Sequence, residues 1–476
     1  MAVDRIIVSA AAGEIRAAFL DDGLLCRLVL SRPGDTVRAG DIHLGRVTKV
    51  APQLAAAFVA IGLDRDGLLP LPEGGGGGRI GEGDAVLVQV RREPEGGKGA
   101  RLTARPALPG RTLALVPGGD QIRVSRRIGD AEERQRLTDL ASGLPGGGGW
   151  IVRAAAAGAP AEALHKEAGR LCARWAEIEA KRAASRPPAL LHRAPDPALA
   201  AIVDAAGPDL AAIVVDDPGI LARIRAALPE LTGRIERHAG PGALFEVHGV
   251  EEQIEAALAP QVPLPSGGVV VLAETAAVIA VDVDSATAAG GSAEETALRV
   301  NIEAAEAVAR QVRLRDLAGH IVIDFVPMRR RDNATRVLEA LRRGFEGDDR
   351  RPQIAGFTRL GLVEMTRRRR GPSLARRLST ACPACAGVGR IESAETVALA
   401  ALRMVLAESR AVPGARLEIV AAPAVIEALR GPTATGLAAG LAEVEARLGR
   451  PLTLRADAGA PPAAFRVVPL GSGEGG

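Results

Sequence analysis

Apolar residues in this chain fall into two recurring patterns, short β-branched runs and longer stretches at helical spacing, and together they predict a mixed α/β protein with several cores. Residues 6–30 read as short strands around a turn at Asp21-Asp-Gly23, a small sheet. From Gly40 the runs 45–50, 56–62, 67–70 and 85–90 predict an all-strand unit of the five-strand OB barrel type. A long helical pattern starts after Ala161 and ends near Ala184, and the prolines at 187, 188, 195 and 197 place a boundary near residue 190. Further on, Val278-Ile-Ala-Val-Asp282-Val-Asp284 and His320-Ile-Val-Ile-Asp324 are dense enough in valine and isoleucine to be strands. Between them Leu298, Ile302, Ala305, Ala309 and Val312 recur near helical spacing, so the unit reads strand, helix, strand.

Three carboxylates sit inside those two apolar runs. A two-residue period puts Asp282 and Asp284 on one face, and a right-handed crossover between neighbouring strands brings Asp324 toward the same edge. A carboxylate buried in a strand is costly unless a cation meets it, because burial and like-charge proximity both oppose ionisation. A divalent metal would resolve that cost for all three; the alternative is that each Asp closes a strand at a solvated turn.

Composition narrows the field. A chain of 476 residues, 47% hydrophobic, is long enough for two to four domains, and a net charge of +3 does not announce a nucleic-acid partner. Charge near the amino terminus and Glu274 within the run 269–283 argue against a signal peptide and a membrane span. Cys26 and Cys172 stand alone, so the 4 cysteines form no disulfide framework, which agrees with a reducing cytoplasm. The glycine runs 74–78 and 146–149 read as loops or hinges, since no Lys-Ser or Lys-Thr completes a P-loop after the first.

Cys382-Pro-Ala-Cys385 reads as half a zinc site, a redox pair or buried thiols. A thioredoxin-like redox motif should open a helix, whereas Gly387 and Gly389 favour a knuckle turn. Zinc wants four ligands, so a site shared by two protomers is the economical inference. Arg367 to Arg370 with Arg376 and Arg377 is the strongest basic block, either a nucleic-acid backbone contact or a solvated face.

Asp282-Val-Asp-Ser-Ala-Thr-Ala-Ala-Gly-Gly291, Glu294-Glu-Thr-Ala297, Asn301-Ile-Glu-Ala-Ala305, Arg310-Gln-Val-Arg-Leu-Arg-Asp-Leu317, Ile321-Val-Ile-Asp-Phe325, Gly356-Phe-Thr-Arg-Leu-Gly-Leu-Val-Glu-Met-Thr366 and Cys382-Pro-Ala-Cys385 follow one another in an order with a known counterpart. Residues 281–389 resemble the catalytic core of the ribonuclease E/G family, bacterial endoribonucleases of RNA processing and decay. The similarity continues more weakly through the amino-terminal half, and without a long polar tail the chain is more similar to the G-type members.

The resemblance implies a layout: a ribonuclease H-like domain split between residues 1–36 and 191–265, an OB barrel at 37–108 and a 5′-sensor segment at 109–190 inserted in it. A deoxyribonuclease I-like catalytic domain at 266–378, a zinc link at 379–392 and a small carboxy-terminal domain at 393–476 would follow. It also implies roles. The aspartates matching Asp282 and Asp324 bind magnesium that activates water for attack on single-stranded RNA, leaving a 5′-phosphate and a 3′-hydroxyl. Asp284 stands where the family commonly has asparagine and can still accept a metal bond; Pro327 replaces a usual acidic residue and Asn333 a usual histidine.

Phe58 matches a barrel aromatic on which a base stacks, although its family partner is here Leu68, and core packing is its other reading. Lys98 matches a loop lysine able to meet a phosphate. Arg126, Arg127 and Arg153 match the segment that senses a 5′-monophosphate, with Ala154 where threonine is frequent. Cys382 and Cys385 would share zinc between protomers of a homodimer or a dimer of dimers. The sequence-level expectation is thus a cytoplasmic magnesium-dependent endoribonuclease. A non-catalytic RNA-binding protein of the same fold is the competitor, motivated by Leu68, Pro327 and Asn333, and a redox protein is a third reading.

Overall fold

Strands β1 (Arg5–Ala11), β2 (Glu14–Asp21) and β3 (Leu24–Ser31) form an antiparallel meander in the computed structural model. The structure describes residues 3–470 except 12, 33–36, 72–79, 95–97, 147, 208, 289, 386 and 432–435, so the glycine run 74–78 lies outside the described residues. The expected turn forms as Asp22-Gly23, both residues with positive φ of 50° and 75°, the requirement of the tight hairpin that Asp-Gly favours.

Strands β4 (Ile42–Ala51), β5 (Ala56–Ala60), β6 (Gly67–Pro70), β7 (Ala85–Arg92) and β8 (Arg101–Thr103) pair in the order β4-β5-β6-β8-β7, and β7 pairs back to β4. This is a closed five-strand barrel, filled by inward residues such as Val47, Val59, Leu69, Val88 and Leu102. Gly99 makes the closure possible. A Cβ there would sit 1.9 Å from the Asp66 carbonyl oxygen, so only glycine lets β8 approach β6.

A second sheet, ordered β11-β12-β10-β9, follows from β9 (Leu108–Pro109), β10 (Leu113–Val116), β11 (Ile122–Val124) and β12 (Gly149–Val152), with α1 (Ala131–Ser142) between the last two. The predicted loop at 146–149 is therefore shorter than expected, since Gly149 already pairs with Val116. Helix α2 (Ala161–Ala184) spans the predicted residues and lays Leu164, Leu171 and Ile178 into the core beside Trp150 and Leu137. The chain then returns as β13 (Ala189–His192) and pairs antiparallel with β4.

Helix α3 (Pro197–Ala205), β14 (Ala212–Val215), α4 (Pro218–Ala227) and β15 (Ile235–Arg237) go back to the first sheet, whose order is β15-β14-β1-β2-β3. Residues 5–31 and 212–237 thus share one sheet and one core built on Ile6, Val8, Phe19, Ile213 and Ile224. The short helices α5 (Leu244–Val247) and α6 (Val250–Leu258) complete this region.

The predicted strand, helix, strand unit lies in the next sheet. It contains β16 (Gln261–Pro263), β17 (Val269–Glu274), β18 (Val278–Asp284), β19 (Gly319–Asp324), β20 (Gln353–Phe357) and β21 (Leu362–Arg367), ordered β16-β17-β18-β19-β21-β20. Strands β18 and β19 are parallel, joined by α7 (Ala293–Leu314), whose start is fixed by a Ser292–Glu295 capping box. Helices α7 and α8 (Arg331–Gly344) cover one face, packing Val300, Ala304, Val308 and Leu341 onto Val281, Val283, Ile321 and Ile323. A short helix, α9 (Leu374–Leu378), follows.

The chain divides into two units, residues 1–377 and 378–476. The second holds α10 (Ala394–Ala411), β22 (Arg416–Ala421), α11 (Pro423–Arg430), α12 (Gly436–Leu448), β23 (Thr453–Ala456) and β24 (Phe465–Leu470), with sheet order β23-β22-β24. Its core is Val397, Leu402, Ile419 and Ile426. Among the described residues no helix is long and apolar enough to cross a membrane.

Candidate active site

Strand alternation decides where the acidic residues go. Because Val281, Val283 and Ile323 face the helices, Asp282, Asp284 and Asp324 face the opposite way and are exposed. Asp282 and Asp324 are direct register partners across the parallel pair, so their Cα atoms are about 5 Å apart at the carboxyl edge of the two strands. The expected convergence is present. The expected burial is not: the open face of a one-sided sheet leaves the carboxylates hydrated, and their mutual repulsion remains as the local electrostatic problem.

Asp284 behaves differently from the other two. One of its oxygens accepts the Ala286 backbone N–H at 2.8 Å and so starts the turn into the α7 loop. Among the described residues no group of three or more His, Cys, Asp or Glu side chains is assembled as a ready metal cage. Glu364, exposed on β21 opposite Val322, adds a carboxylate to the same face.

Two side chains of α7 fix the segment that follows Asp324. Asn301, fully buried, donates to the Val326 carbonyl at 2.8 Å and accepts the Val326 N–H at 2.9 Å. Glu294 accepts the backbone N–H groups of Arg329 and Arg330 at 2.9 and 3.1 Å and the Asn333 side-chain amide at 2.7 Å. Those donors, the Arg329 N–H foremost, hold its carboxyl below the usual range. Asn333 is accordingly buried against Glu294 rather than facing the aspartates. Asn301 and Glu294 lie within quoted motifs, but helical spacing alone gave no signal that they grip a loop 25 to 39 residues downstream.

Phe58 is half-buried on β5 beside Leu68 on β6 and lines a cleft of about 990 Å³ with Lys98, Arg92, Arg101 and Arg369. Phe58 therefore borders open space rather than the barrel core, and its cross-strand neighbour Leu68 is aliphatic. The cleft also reaches Ala276, in the turn before β18, so the aspartates lie about 20 Å further along that strand. The structure brings Phe58 to Lys98 but brings neither to the acidic pair.

Within the basic block Arg367 is the buried member, while Arg368, Arg369, Arg370 and Arg376 are exposed. Arg367 is buried and pairs with Asp316 at 3.0 Å and Asp348 at 2.8 Å, Arg370 pairs with Asp349, and Arg376 pairs with Glu274 at 2.9 Å. Arg369 donates to the Ala318 carbonyl at 3.0 Å, and its own carbonyl accepts from Arg92 at 2.9 Å.

Strands β11 and β12 are parallel, so the segments after them, Arg126-Arg127 and Arg153, emerge together. Arg126 and Arg127 are exposed. Arg153 is engaged, donating to the Gly110 carbonyl at 2.5 Å and pairing with Asp204 at 3.0 Å. In the second unit, Cys382 is exposed and Cys385 partly so, both as free thiols on a turn in which Gly387 and Gly389 take φ of 87° and 78°. The knuckle turn forms and opens no helix, against the redox reading, and the exposure removes the buried-thiol reading. Backbone N–H groups of Gly389 and then Gly387 aimed at the Cys385 sulfur lower its pKa.

The ribonuclease E/G family model matches residues 107–370, a span that holds the acidic pair and Arg126, Arg127 and Arg153. The chain belongs to the ribonuclease E/G family. It is 34% identical over 478 residues to ribonuclease G of Salmonella typhimurium (strain SL1344), covering 95% of this chain and 96% of that protein. Ribonuclease G of Escherichia coli (strain K12) is likewise 34% identical over 471 residues, 94% of this chain and 95% of the other. Ribonuclease E of the same strain is 38% identical over 421 residues, 83% of this chain but 40% of that longer protein. The matched span includes Asp282 and Asp324, the exposed aspartates in register on β18 and β19.

Proposed function

We propose that this ribonuclease E/G family chain is an endoribonuclease that hydrolyses single-stranded RNA in RNA processing and decay, leaving 5′-phosphate and 3′-hydroxyl ends. The observation that carries the reading is the register pairing of Asp282 with Asp324 on an exposed sheet face. Two hard carboxylates with water on every other side are the donor set that suits magnesium, which binds through one or two carboxylates and keeps several waters. When bound, magnesium supplies a more acidic water and offsets the negative charge that grows on the phosphate oxygens.

The chain's own groups do the rest. Asp282 and Asp324 hold the cation side, Asp284 contributes its remaining oxygen, and Asn301 with Glu294 keeps the Asp324 segment in place. Phe58 stacks a base, a contact of about 1–3 kcal/mol, while Lys98 meets a phosphate. Arg126, Arg127 and Arg153 take a 5′-monophosphate, Arg153 by exchanging its Asp204 partner for it.

The domain layout belongs to the same proposal: ribonuclease H-like halves at 1–36 and 191–265, an OB barrel at 37–108, a sensor at 109–190, a deoxyribonuclease I-like domain at 266–378 and a small domain at 393–476. Cys382 and Cys385, poised on a knuckle turn with amides toward Cys385, form half of a zinc site at 379–392 that a second copy completes. Leu68 beside Phe58 is the observation that favours the alternative, a non-catalytic RNA-binding protein. Incubation of the purified protein with a 5′-labelled single-stranded RNA, with and without magnesium, separates the two. Discrete magnesium-dependent fragments support the enzyme, and bound but intact RNA refutes it.

A further inference from the structure

The loop from Asp324 to α8 carries three consecutive arginines, Arg329, Arg330 and Arg331, and all three side chains are exposed. Elsewhere in this domain the arginines Arg350, Arg367 and Arg370 are spent on Asp316, Asp348 and Asp349. Among the described residues the three loop guanidinium groups make no hydrogen bond and no ion pair within 4 Å, although the Arg330 charge is felt at Glu294; the loop's bonds are backbone ones, the Arg329 and Arg330 N–H groups to Glu294 and the Arg330 and Arg331 carbonyls into α8. Both Glu294 oxygens are occupied by that work and by Asn333.

Local folding does not favour these residues here. Arg330 is the N-cap of α8 and makes no capping bond, and Arg331 is the first helical residue, so cations stand where the helix dipole disfavours them. Asp332 in the first turn of α8 and the Glu294 carboxylate near Arg330 offset part of this charge, and three consecutive exposed cations facing only those acids point to a partner outside the chain.

Their placement says which partner. Asn301 and Glu294 pin this loop to the carboxyl edge of β18 and β19, where Asp282 and Asp324 end up, and Arg329 is at most about 18 Å of chain from Asp324. Guanidinium groups match phosphate oxygens in bidentate geometry, and phosphate contacts fix register without reading sequence.

We propose that Arg329, Arg330 and Arg331 form a phosphate-binding rail that holds the RNA backbone flanking the bond presented to Asp282 and Asp324. The inference rests on the endoribonuclease reading and adds a binding site to it. Each phosphate contact on a single strand contributes about 0.7 to the slope of log affinity against log salt, so loss of the rail removes about 2 from that slope.

The experiment uses the full chain with R329Q/R330Q/R331Q, a labelled single-stranded RNA and a chelator to prevent cleavage, with affinity measured across a salt series. The slope is expected to become shallower by about 2, equally for purine-rich and pyrimidine-rich RNA, while the R329K/R330K/R331K protein keeps most of it. With magnesium, the glutamine variant should raise KM with little change in kcat. An unchanged slope in a folded glutamine variant overturns the rail even if the unaltered protein cleaves RNA. A slope shared by the glutamine and lysine variants and lower than that of the unaltered chain also overturns it, because loop damage rather than charge would then be responsible. Failure of the unaltered chain to cleave, with the slope change present, leaves the rail standing and removes the catalytic reading instead.

Discussion

Replacing Asp282 or Asp324 with asparagine is expected to stabilise the metal-free protein while abolishing cleavage. The two residues are register partners on adjacent strands, and both are exposed, so their carboxylates repel through a medium close to water. For carboxylates as close as their Cα atoms, about 5 Å, that repulsion is at most about 0.8 kcal/mol at low ionic strength, and it shrinks as the Debye length falls to about 8 Å at physiological salt. For a domain of this size the relief corresponds to roughly 1–3 °C in melting temperature. Magnesium should invert the order, stabilising the unaltered chain more than either variant, because a cation between two carboxylates gains from both charges. Thermal melts in low salt, with chelator and then with magnesium, read the first effect, and cleavage of 5′-labelled RNA reads the second. A variant that melts below the unaltered chain in chelator, or that gains as much from magnesium, refutes the paired-carboxylate reasoning. Undiminished cleavage by either variant refutes their role. Asp284→Asn should be milder on both counts, since its amide oxygen can still accept the Ala286 N–H.

Arg367→Met should cost about 3–5 kcal/mol, seen as an earlier urea transition, because it strands Asp348 as a buried charge whose side chain is 3% exposed. Burial holds the His43 imidazole below its ordinary pKa of 6.5, so the unfolded chain takes up the proton first. Stability linked to His43 is thus complete above pH 6.5 and lost as pH falls below it, and His43→Leu should flatten the difference between melts at about pH 7.5 and 5.5. A 5′-monophosphate should be preferred over a 5′-hydroxyl by less than about tenfold, because Arg153 is tied to Asp204 and Ala154 offers no hydroxyl; Asp204→Asn should widen that preference in matched cleavage assays. On the shared-zinc proposal the protein should carry about half an equivalent of zinc per chain and run as a dimer, and Cys385→Ser should lower both together, as read by metal analysis beside solution mass.

Periodicity carried the elements well where the pattern was long or the turn chemistry specific. The helix at 161–184, the Asp22-Gly23 hairpin and the parallel pair around Asp282 and Asp324 were all legible from spacing and residue type. What spacing could not show was which face of the acidic strands met water. An alternating strand is compatible with a metal-filled interior or an open sheet, and only the packing of α7 and α8 on the Val281 side decides it. Within the arginine block Arg367 was the member that spacing could not place, since the carboxylates that absorb it come from residues 316 and 348 and meet it only in three dimensions. Asn301 and Glu294 were visible as motif members and opaque as clamps, because a helix-to-loop hydrogen bond leaves no period in the sequence.

The sheet that pairs β1 with β14 ties the amino terminus to a strand made much later, and Ser9 waits for Asp216 across 207 residues. At a synthesis rate of 5–20 residues per second, β1 emerges roughly 10–40 s before its parallel neighbour exists. For that interval Ile6, Ile7 and Val8 border an open strand edge on the nascent chain, the kind of template that recruits other strands. The three-strand meander shields one side of β1 early, since β2 follows directly, but the other side depends on the ribosome finishing the barrel and the β9–β12 sheet in time. Translation speed across residues 32–211 should therefore govern how much soluble protein is recovered, and codon-slowed versions of that stretch should aggregate in proportion to the delay.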